Sequence, residues 1–433
     1  MAGENQQLNE SVVIRSLRRF RDRYFTNSRT VFKDDSKPVE DTVEEPQPGF
    51  LDSLPVDVQF QIMTFLSPSD ICRLGATSQY WRAMVRDPLL WRYFLLRDMP
   101  HWPSIDHLSM PQLDAPLISE DESVDDREEG EDKGMESKFD YMSEYLKGCP
   151  SCRQRWLPSR PAYEVVTSFL QSLVPSSEPR YAMFGPGMEQ LDVSLVTRLM
   201  HAPDVLPVSG TPHRQINGIG SGISYLFNNQ HRFNILTLYS TNRAERERAR
   251  VQQQSIGNKL FTLVGTNESG HPIYSPAPQV QQVCQVVDGF IYVANAEPGK
   301  GKTSAAAVSH HAHWLLSFKS PAQDICMEPM SSIGEGESEV AQIRAVLSSG
   351  GGSAPRPLLV LSCVSREESE ATTLQAAPRR NRARCRTPCV DMAMRLGLPQ
   401  LANPWMVQDT VAESLSGLLD GISWLLRCSG VKL

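Results

Sequence analysis

The segment most suggestive of chemistry is residues 296–303, where Ala-Glu-Pro-Gly-Lys-Gly-Lys-Thr matches a loose phosphate-loop pattern. In such a loop, backbone N–H groups would surround a phosphate, Lys302 would contact its terminal oxygens, and Thr303 would hold magnesium. Pro298 removes one backbone donor inside the loop. Nucleotide binding therefore stays open as an alternative, and a surface loop rich in glycine and lysine is the favoured interpretation.

Residues that could bind a metal are sparse in this sequence. Cys149 and Cys152 form a CxxC pair, but the similar pair Cys385 and Cys389 lies far along the chain in a basic loop. A single CxxC without a well-spaced second half is weak support for zinc. No further ligands can be placed for the three histidines His310, His311 and His313. We therefore predict neither a metal nor another cofactor, and no catalytic residues.

Composition narrows the class of protein. A chain of 433 residues has room for two or three domains, and nine scattered cysteines are typical of reduced thiols. The net charge of −7 comes from residues 114–138, a segment that contains eleven acidic and three basic residues. The rest of the chain has a net charge near zero, which argues against a nucleic-acid-binding surface. No run approaches the roughly 18 apolar residues of a membrane helix, so we predict a cytoplasmic protein with the nucleus as a second compartment.

Several short helical patterns follow one another in residues 51–98. The first helix places apolar residues on one face, and Ser67-Pro68 ends it and caps the next; these apolar residues are Val58, Ile62, Phe65 and Leu66. Ile71 and Leu74, then Trp81 and Val85, are predicted to face inward. A leftover apolar patch could fit a partner's groove, or could pack on the rest of the chain; it comprises Leu54, Ile62, Leu66, Leu90 and Trp91.

The same stretch resembles the F-box, the helical module that docks on the adaptor Skp1 of cullin–RING ubiquitin ligases. The resemblance rests on Leu54-Pro55, Ser67-Pro68-Ser69-Asp70-Ile71 and Asp87-Pro88-Leu89-Leu90-Trp91, in order and at suitable spacing. It implies Skp1 as a partner and, through Skp1, cullin 1 and the RING subunit. The adaptor contacts or their immediate support would be Leu54, Pro55, Ile62, Leu66, Ile71, Leu74, Leu90 and Trp91.

The regions around the F-box, residues 50–98, are predicted to be linkers and an accessory helix. Within residues 1–49, a basic amphipathic helix at 8–25 could mediate dimerisation, contact a membrane surface or act in nuclear import, or could be a solvated helix. An acidic, proline-containing linker follows it. Residues 99–160 are predicted to be a helical linker with a disordered acidic insertion at 114–138.

From about residue 161 to 428 the pattern alternates between strands and helices, which indicates an α/β sheet with helices on both faces. Predicted strands include 180–184, the pair 223–227 and 233–239, and the apolar runs 289–294 and 357–363. Thr410 and Glu413 are predicted to cap a final one-faced helix that starts near Leu415. Residues 299–356 and 366–388 are predicted to contain flexible loops, among them 331–353 and a basic run at 379–384.

This order of elements resembles the small-GTPase fold with its nucleotide-binding groups missing. Gln190, Leu191 and Asp192 stand five to seven positions after Gly185, where a phosphate loop needs lysine and a hydroxyl residue. The third strand ends near Thr237 and Ser240 instead of Asp-x-x-Gly. The fifth ends in Cys363-Val364-Ser365-Arg366 instead of a guanine-reading Asn-Lys-x-Asp. The predicted fold class is therefore α + α/β, a helical F-box module followed by a small-GTPase-like domain used for binding.

An F-box followed by a degenerate GTPase-like domain is similar to one family of F-box proteins. That resemblance implies a non-catalytic substrate receptor of an SCF ligase, with telomeric repeat-binding factor 1 and phosphorylated cyclin D as substrates. In the family the telomeric factor adds a strand to an exposed sheet edge. By transfer, the substrate-binding neighbourhood is Gly185, Ile223, Tyr225, Phe227 and Phe233. The alternatives are a nucleotide-binding protein using residues 296–303 and a plain scaffold.

Overall fold

The computed structural model describes residues 50–111, 140–153, 178–210, 220–239, 259–267, 270–297, 333–349, 355–367 and 386–433. The chain divides into two compact units. The described part of the first, called the helical unit here, comprises residues 50–99, 111 and 140–146. The remaining described residues form the sheet unit. Within these ranges, no helix combines the length and the apolar character that crossing a bilayer requires.

The described helical unit contains a run of five helices and, later in the chain, residues 141–146 of α6. They are α1 (Phe50–Ser53), α2 (Val56–Phe65), α3 (Pro68–Gly75), α4 (Gln79–Met84), α5 (Pro88–Asp98) and α6 (Tyr141–Gly148). The predicted break at Ser67-Pro68 is confirmed, since the Ser67 hydroxyl accepts a hydrogen bond from the Asp70 N–H. Ser78 and Asp87 cap α4 and α5 in the same way. Each cap satisfies a backbone donor that the first turn leaves unpaired.

Trp91 is fully buried in the core of the helical unit. Its ring makes edge-to-face contacts with Phe94 at 5.7 Å and with Tyr145 at 5.5 Å between ring centroids. Its indole N–H donates to the Val85 carbonyl at 2.6 Å, so the buried polar atom is satisfied. The predicted inward orientation of Ile71, Trp81 and Val85 is confirmed.

Ten strands are described in the sheet unit. They are β1 (Ser104–Asp106), β2 (Arg180–Phe184), β3 (Val208–Gly210), β4 (Gly220–Phe227), β5 (His231–Leu238), β6 (Phe261–Thr266), β7 (Pro272–Pro276), β8 (Gly289–Asn295), β9 (Leu358–Val364) and β10 (Trp405–Val411). Eight of them form one sheet in the order β1-β10-β9-β8-β2-β5-β4-β3, and β6 and β7 form a separate hairpin. The five strands β10, β9, β8, β2 and β5 are parallel to one another, whereas β1, β4 and β3 are antiparallel to their neighbours.

Helices lie on both faces of this sheet, as predicted. The described helices of the sheet unit are α7 (Pro150–Arg153), α8 (Gly187–Gln190), α9 (Leu195–His201), α10 (Pro278–Val286), α11 (Ile333–Ser348), α12 (Cys389–Arg395) and α13 (Leu418–Cys428). On β8, Ile291 and Val293 share one core with α9 and α13. The next residue along the strand, Tyr292, points to the opposite face, where its hydroxyl donates to Glu339 of α11 at 2.9 Å. Double-sided burial explains the continuous apolar runs of β8 and β9.

Helix α11 corrects the prediction that residues 331–353 form a flexible loop. Ile343 and Val346 are buried at helical spacing, and the Ser338 hydroxyl donates to the Tyr274 hydroxyl of β7 at 3.1 Å. Gly336 and the surrounding glutamates and serines obscure the apolar face in the sequence. Packing against the rest of the sheet unit stabilises this helix in spite of its weak local preference.

The end of the chain and the linker also differ from the prediction. Thr410 is a buried residue of β10, so Thr410 and Glu413 do not cap a helix; α13 begins at Leu418, after Gly417 in a left-handed conformation. β10 pairs with β9 along its whole length, which local spacing could not reveal. Residues 104–106, inside the predicted helical linker, form the edge strand β1 on β10.

Several predictions concern segments outside the described residues. These are the helix at 8–25, the linker before residue 50, the acidic insertion at 114–138, the histidines at 310–313 and the basic run at 379–384. For the phosphate-loop pattern at 296–303, the structure describes only Ala296 and Glu297. All of these remain predictions.

Candidate functional site

An apolar stripe faces outward on α2. It consists of Val58, Ile62, Phe65 and Leu66, and is called the α2 stripe here. Phe65 is 63% exposed and Val58 43% exposed, while Ile62 and Leu66 are half-buried. Val58, Ile62 and Phe65 lie on one side of α2, as the sequence spacing predicted, and this side is turned away from the core. Leu66 is the C-cap residue, in an extended conformation just beyond the helix. Large apolar side chains left at the surface of a rigid helix are typical of a protein-binding surface.

More apolar surface lies beside the stripe. Phe50 is 79% exposed and Leu51 41% exposed at the start of α1, and Pro55 is exposed where α2 begins. Leu54 is half-buried in the connection between these helices. The predicted contact residues Leu54, Pro55, Ile62 and Leu66 therefore lie close together in sequence and retain accessible surface.

The opposite face of α2 packs into the helical unit. Val56, Gln59 and Met63 are buried at helical spacing. The Gln59 amide donates to the Leu51 carbonyl at 2.8 Å, and its oxygen accepts a hydrogen bond from the Tyr80 hydroxyl at 2.5 Å. A buried, fully engaged glutamine holds α1, α2 and α4 together, which fixes the direction in which the α2 stripe faces.

Arg97 anchors the other end of α2. One guanidinium nitrogen donates to the Thr64 carbonyl at 2.9 Å, while the same side chain pairs with Asp98 at 2.6 Å. The pKa of Arg97 is raised above its ordinary value, and the main cause is its hydrogen bond to Asp98. Asp98 also accepts a hydrogen bond from the Tyr145 hydroxyl at 2.8 Å. The end of α2, formed by Phe65 and the C-cap residue Leu66, is thereby held by charge-assisted bonds.

Three of the predicted contact residues are not at the surface. Ile71, Leu90 and Trp91 are each 0% exposed, so the apolar patch predicted to include Leu90 and Trp91 is corrected. Their apolar side chains form the core that supports α2. Leu74 is half-buried on α3. These residues can therefore act only as support for a binding surface, apart from Leu74, which retains some accessible surface.

The second predicted site lies near the β4 end of the sheet. The side chains predicted there are buried, namely Ile223, Tyr225, Phe227 and Phe233. Tyr225 and Phe233 are cross-strand partners whose rings stack at 5.9 Å. They are core residues, so any partner at this edge would be bound through the backbone, the mode expected for strand addition. In the described residues, β3 covers β4 only near Tyr225 and Ser224.

Gly185 forms a sharp turn at the end of β2. Its φ of +129° lies in the region that favours glycine, and a Cβ there would lie 2.5 Å from the Val293 carbonyl oxygen. Gly187 also approaches Val293 closely. Glycine is therefore needed here for close packing of β2 against β8, which is a structural requirement and does not by itself indicate a bound phosphate.

Side chains at the carboxyl ends of the parallel strands bind one another. Asn295 donates to the Gln190 side-chain oxygen at 3.1 Å, and the Asp192 N–H donates to the Ser365 hydroxyl at 3.0 Å. The Ser365 N–H in turn donates to the Glu297 carboxylate at 2.7 Å. Phosphate binding needs free donors or cations at this edge. Among the described residues at this edge, the side-chain amides of Asn295 and Gln190 bind each other, and Glu297 contributes a negatively charged carboxylate, which would repel a phosphate.

We expect Gly185→Ala to lower the free energy of unfolding of the sheet unit by at least about 2 kcal/mol, since the substitution combines backbone strain with a clash. Urea denaturation of the full chain, followed by circular dichroism, measures the change. Gly265→Ala is the matched control, because a Cβ there meets nothing within 4 Å. Equal stability of the two variants would contradict the structural role assigned to Gly185.

Sequence reasoning missed the polar residues that position the α2 stripe. Gln59 and Arg97 lie in the F-box segment, but their partners Tyr80 and Thr64 are respectively 21 and 33 residues away. The one available signal was a glutamine at the centre of an otherwise apolar helix face, in phase with Val56 and Met63. Such a residue indicates a buried hydrogen bond without identifying its partner.

Comparison with known proteins identifies the family of this chain. An F-box-like family model matches residues 51–97, which contain the α2 stripe and nearly all of α1–α5. The chain is 45% identical over 379 residues to F-box only protein 4 of Mus musculus and to that of Bos taurus, covering 87% of this chain and 83% of each relative. F-box only protein 4 of Homo sapiens is 44% identical over the same shares. The chain is an F-box protein and belongs to the F-box only protein 4 family.

Proposed function

We propose that the chain is the substrate-recognition subunit of an SCF ubiquitin ligase and that it docks on Skp1 through the α2 stripe. The observation that carries this proposal is the outward orientation of Val58, Ile62 and Phe65 inside the segment that matches the F-box-like family. Burying exposed apolar side chains stabilises a complex by roughly 25 cal/mol for each Å² removed from water. The side chains around Gln59 and Arg97 keep the stripe rigid, which reduces the entropy lost on binding.

In this proposal the chain itself makes and breaks no covalent bond. Skp1 connects it to cullin 1 and the RING subunit, which brings a ubiquitin carrier near the bound substrate. Holding a substrate lysine beside the carrier raises the effective concentration of the reacting groups. The contribution of this chain to the rate is therefore positional, and it depends on the two units binding different proteins.

We further propose that the sheet unit has the small-GTPase fold and serves as a binding scaffold. This is supported by the strand order β4-β5-β2-β8-β9-β10, in which β4 is the one antiparallel strand. The hydrogen bonds among Gln190, Asn295 and Ser365 at the strand ends support a role other than nucleotide binding. Substrate capture would use the backbone of the β3–β4 edge.

For substrates, we propose telomeric repeat-binding factor 1 and phosphorylated cyclin D, on the strength of the family resemblance. A telomeric substrate would require the chain to act in the nucleus as well as in the cytoplasm.

Dimerisation through residues 8–25 is a separate proposal. A truncated chain that begins at Phe50 should then sediment as a smaller species than the full chain, and identical oligomeric states would contradict dimerisation through this segment.

Reconstitution tests the proposed function. Purified Skp1, cullin 1, the RING subunit, a ubiquitin-charged carrier and the telomeric factor are combined with or without this chain. We expect ubiquitin to be attached to the telomeric factor only when both this chain and Skp1 are present. Modification that is independent of this chain, or assembly of this chain with cullin 1 in the absence of Skp1, would contradict the proposal.

A further inference from the structure

Cys149 and Cys152 are brought together at the start of α7. The N–H groups of Cys152 and Arg153 both donate to the Cys149 carbonyl, at 3.0 Å and 2.9 Å. These bonds close a helical turn, which places side chains three residues apart on the same side. In such a turn the two Cα atoms are separated by about 5 Å, within the range that a disulfide spans. Neither cysteine is in a disulfide in the structure.

The Cys149 sulfur lies in a polar environment that favours the thiolate. The Ser151 hydroxyl lies 3.2 Å from this sulfur, and Cys152 is a further hydrogen-bonding neighbour. Burial alone would raise the pKa of the Cys149 thiol, but the hydrogen bonds from Ser151 and Cys152 together outweigh it and lower the pKa. Because the thiolate is the form that attacks a disulfide, this environment favours exchange.

The other cysteines with a shifted pKa differ from Cys149 in direction. Burial raises the pKa of Cys284 to about 11 and that of Cys363 to about 12. A high pKa leaves these thiols protonated and unreactive at neutral pH. Among the described residues, Cys149 is therefore set apart from the buried structural cysteines.

Arg153 fixes the turn that carries the two cysteines. Its guanidinium donates to the Ser109 hydroxyl at 2.9 Å and to the Ser104 hydroxyl at 3.0 Å, and it lies 3.3 Å from the Asp106 carboxylate. The turn is thus attached to β1 and the residues that follow it. The two sulfurs are held near one another before any reaction, so closing a bond between them needs little rearrangement.

A zinc site is the competing explanation for a CxxC pair. Structural zinc is bound by four ligands, typically cysteine and histidine. Within the described ranges, no group of three or more histidine, cysteine, aspartate or glutamate residues is arranged to hold a metal. The side-chain neighbour that the structure gives the Cys149 sulfur is the Ser151 hydroxyl, which is not a usual zinc ligand.

We propose that Cys149 and Cys152 form a redox-active dithiol that closes reversibly to an intrachain disulfide by exchange with a small-molecule disulfide such as oxidised glutathione. Cys152 is the more exposed of the two, so its sulfur attacks the small disulfide first. This forms a mixed disulfide and releases one thiolate. The Cys149 thiolate then attacks the Cys152 sulfur of the mixed disulfide and releases the second small-molecule thiolate.

The reaction balances without another reactant. The two protein thiols lose two protons, which the two released thiolates take up, and two electrons pass from the protein to the small disulfide. The products are one protein disulfide and two molecules of the small thiol. The proposed modification site is independent of the SCF function, since neither cysteine belongs to the α2 stripe or to the β3–β4 edge.

The test uses the full chain in glutathione buffers of increasing oxidised fraction. Exchange is stopped with acid, the chain is denatured and returned to neutral pH in excess N-ethylmaleimide to alkylate all free thiols, and the masses of the tryptic peptides are measured by mass spectrometry. Cleavage after Lys147 and Arg153 gives a peptide that contains Cys149 and Cys152 and no other cysteine. We expect it to lose two hydrogens and escape alkylation while exposed Cys72 and Cys428 are still alkylated, and dithiothreitol should reverse the change.

Two variants test the order of attack, and their thermal midpoints show whether they fold. Cys149→Ser should accumulate a glutathione mixed disulfide on Cys152, because the thiol that resolves it is missing. Cys152→Ser should leave the buried Cys149 unmodified. In the wild-type chain, alkylation of both cysteines at every oxidised fraction, or a mixed disulfide on Cys152 that never closes, would overturn the proposal.

Discussion

Phe65→Asp should weaken binding of Skp1 by at least about 30-fold, corresponding to about 2 kcal/mol, while the chain remains folded. Phe65 is 63% exposed at the end of α2, so its replacement removes little from the core. In the complex, an aspartate at this position would be transferred from water into an apolar contact without a partner, which is costly. Isothermal titration calorimetry of Skp1 into each variant measures the affinity.

The matched control is Leu263→Asp on β6. Leu263 is 57% exposed, so the two substitutions place the same charge at similarly exposed apolar positions in different units. We expect Leu263→Asp to bind Skp1 with the affinity of the wild-type chain. Val58→Asp should behave like Phe65→Asp, since Val58 lies on the same stripe. Equal binding by all of these variants would show that the adaptor uses another surface.

Trp91→Ala should destabilise the helical unit by about 3–5 kcal/mol, the usual range for removing a large aromatic side chain from a core. Trp91 is fully buried, contacts the rings of Phe94 and Tyr145, and donates a hydrogen bond to the Val85 carbonyl. Thermal unfolding of the full chain, combined with limited proteolysis within residues 50–99, measures the loss. Skp1 binding should fall as a consequence of unfolding.

Trp91→Phe is the graded control for that prediction. It keeps an aromatic ring in the core and removes the indole N–H, so the Val85 carbonyl loses its donor. We expect destabilisation between that of Trp91→Ala and the wild-type chain. A Trp91→Ala variant that unfolds like the wild-type chain yet fails to bind Skp1 would mean that Trp91 contacts the adaptor directly, contrary to its buried position.

The helical unit shows what local spacing can and cannot predict. The breaks at Ser67-Pro68 and Asp87-Pro88 follow from capping chemistry, which depends on neighbouring residues. The direction in which the α2 stripe faces cannot be predicted from local spacing, because α2 carries apolar residues on two faces. The face with Val56 and Met63 is buried, and the choice depends on contacts with α4 and α5 that are distant in sequence.

The sheet unit shows the same limit at its edges. The buried central strands β8 and β9 were predicted because continuous apolar runs mark them. The three-residue strand β1 was not predicted, since its pairing with β10 joins residues about 300 positions apart. The substrate-binding neighbourhood was assigned through a family resemblance. A contact made through the backbone leaves almost no pattern in the side chains, and the buried Tyr225 and Phe233 are there to build the core.

Calorimetric titration of the full wild-type chain with Skp1, repeated at several temperatures, tests the central claim most directly. The account predicts a one-to-one complex whose binding heat capacity change is negative, because the exposed apolar side chains of α2 leave water. Phe65→Asp should abolish both the heat and its temperature dependence. A folded wild-type chain that gives no binding heat with Skp1 at any temperature, and no complex on gel filtration, would contradict the account.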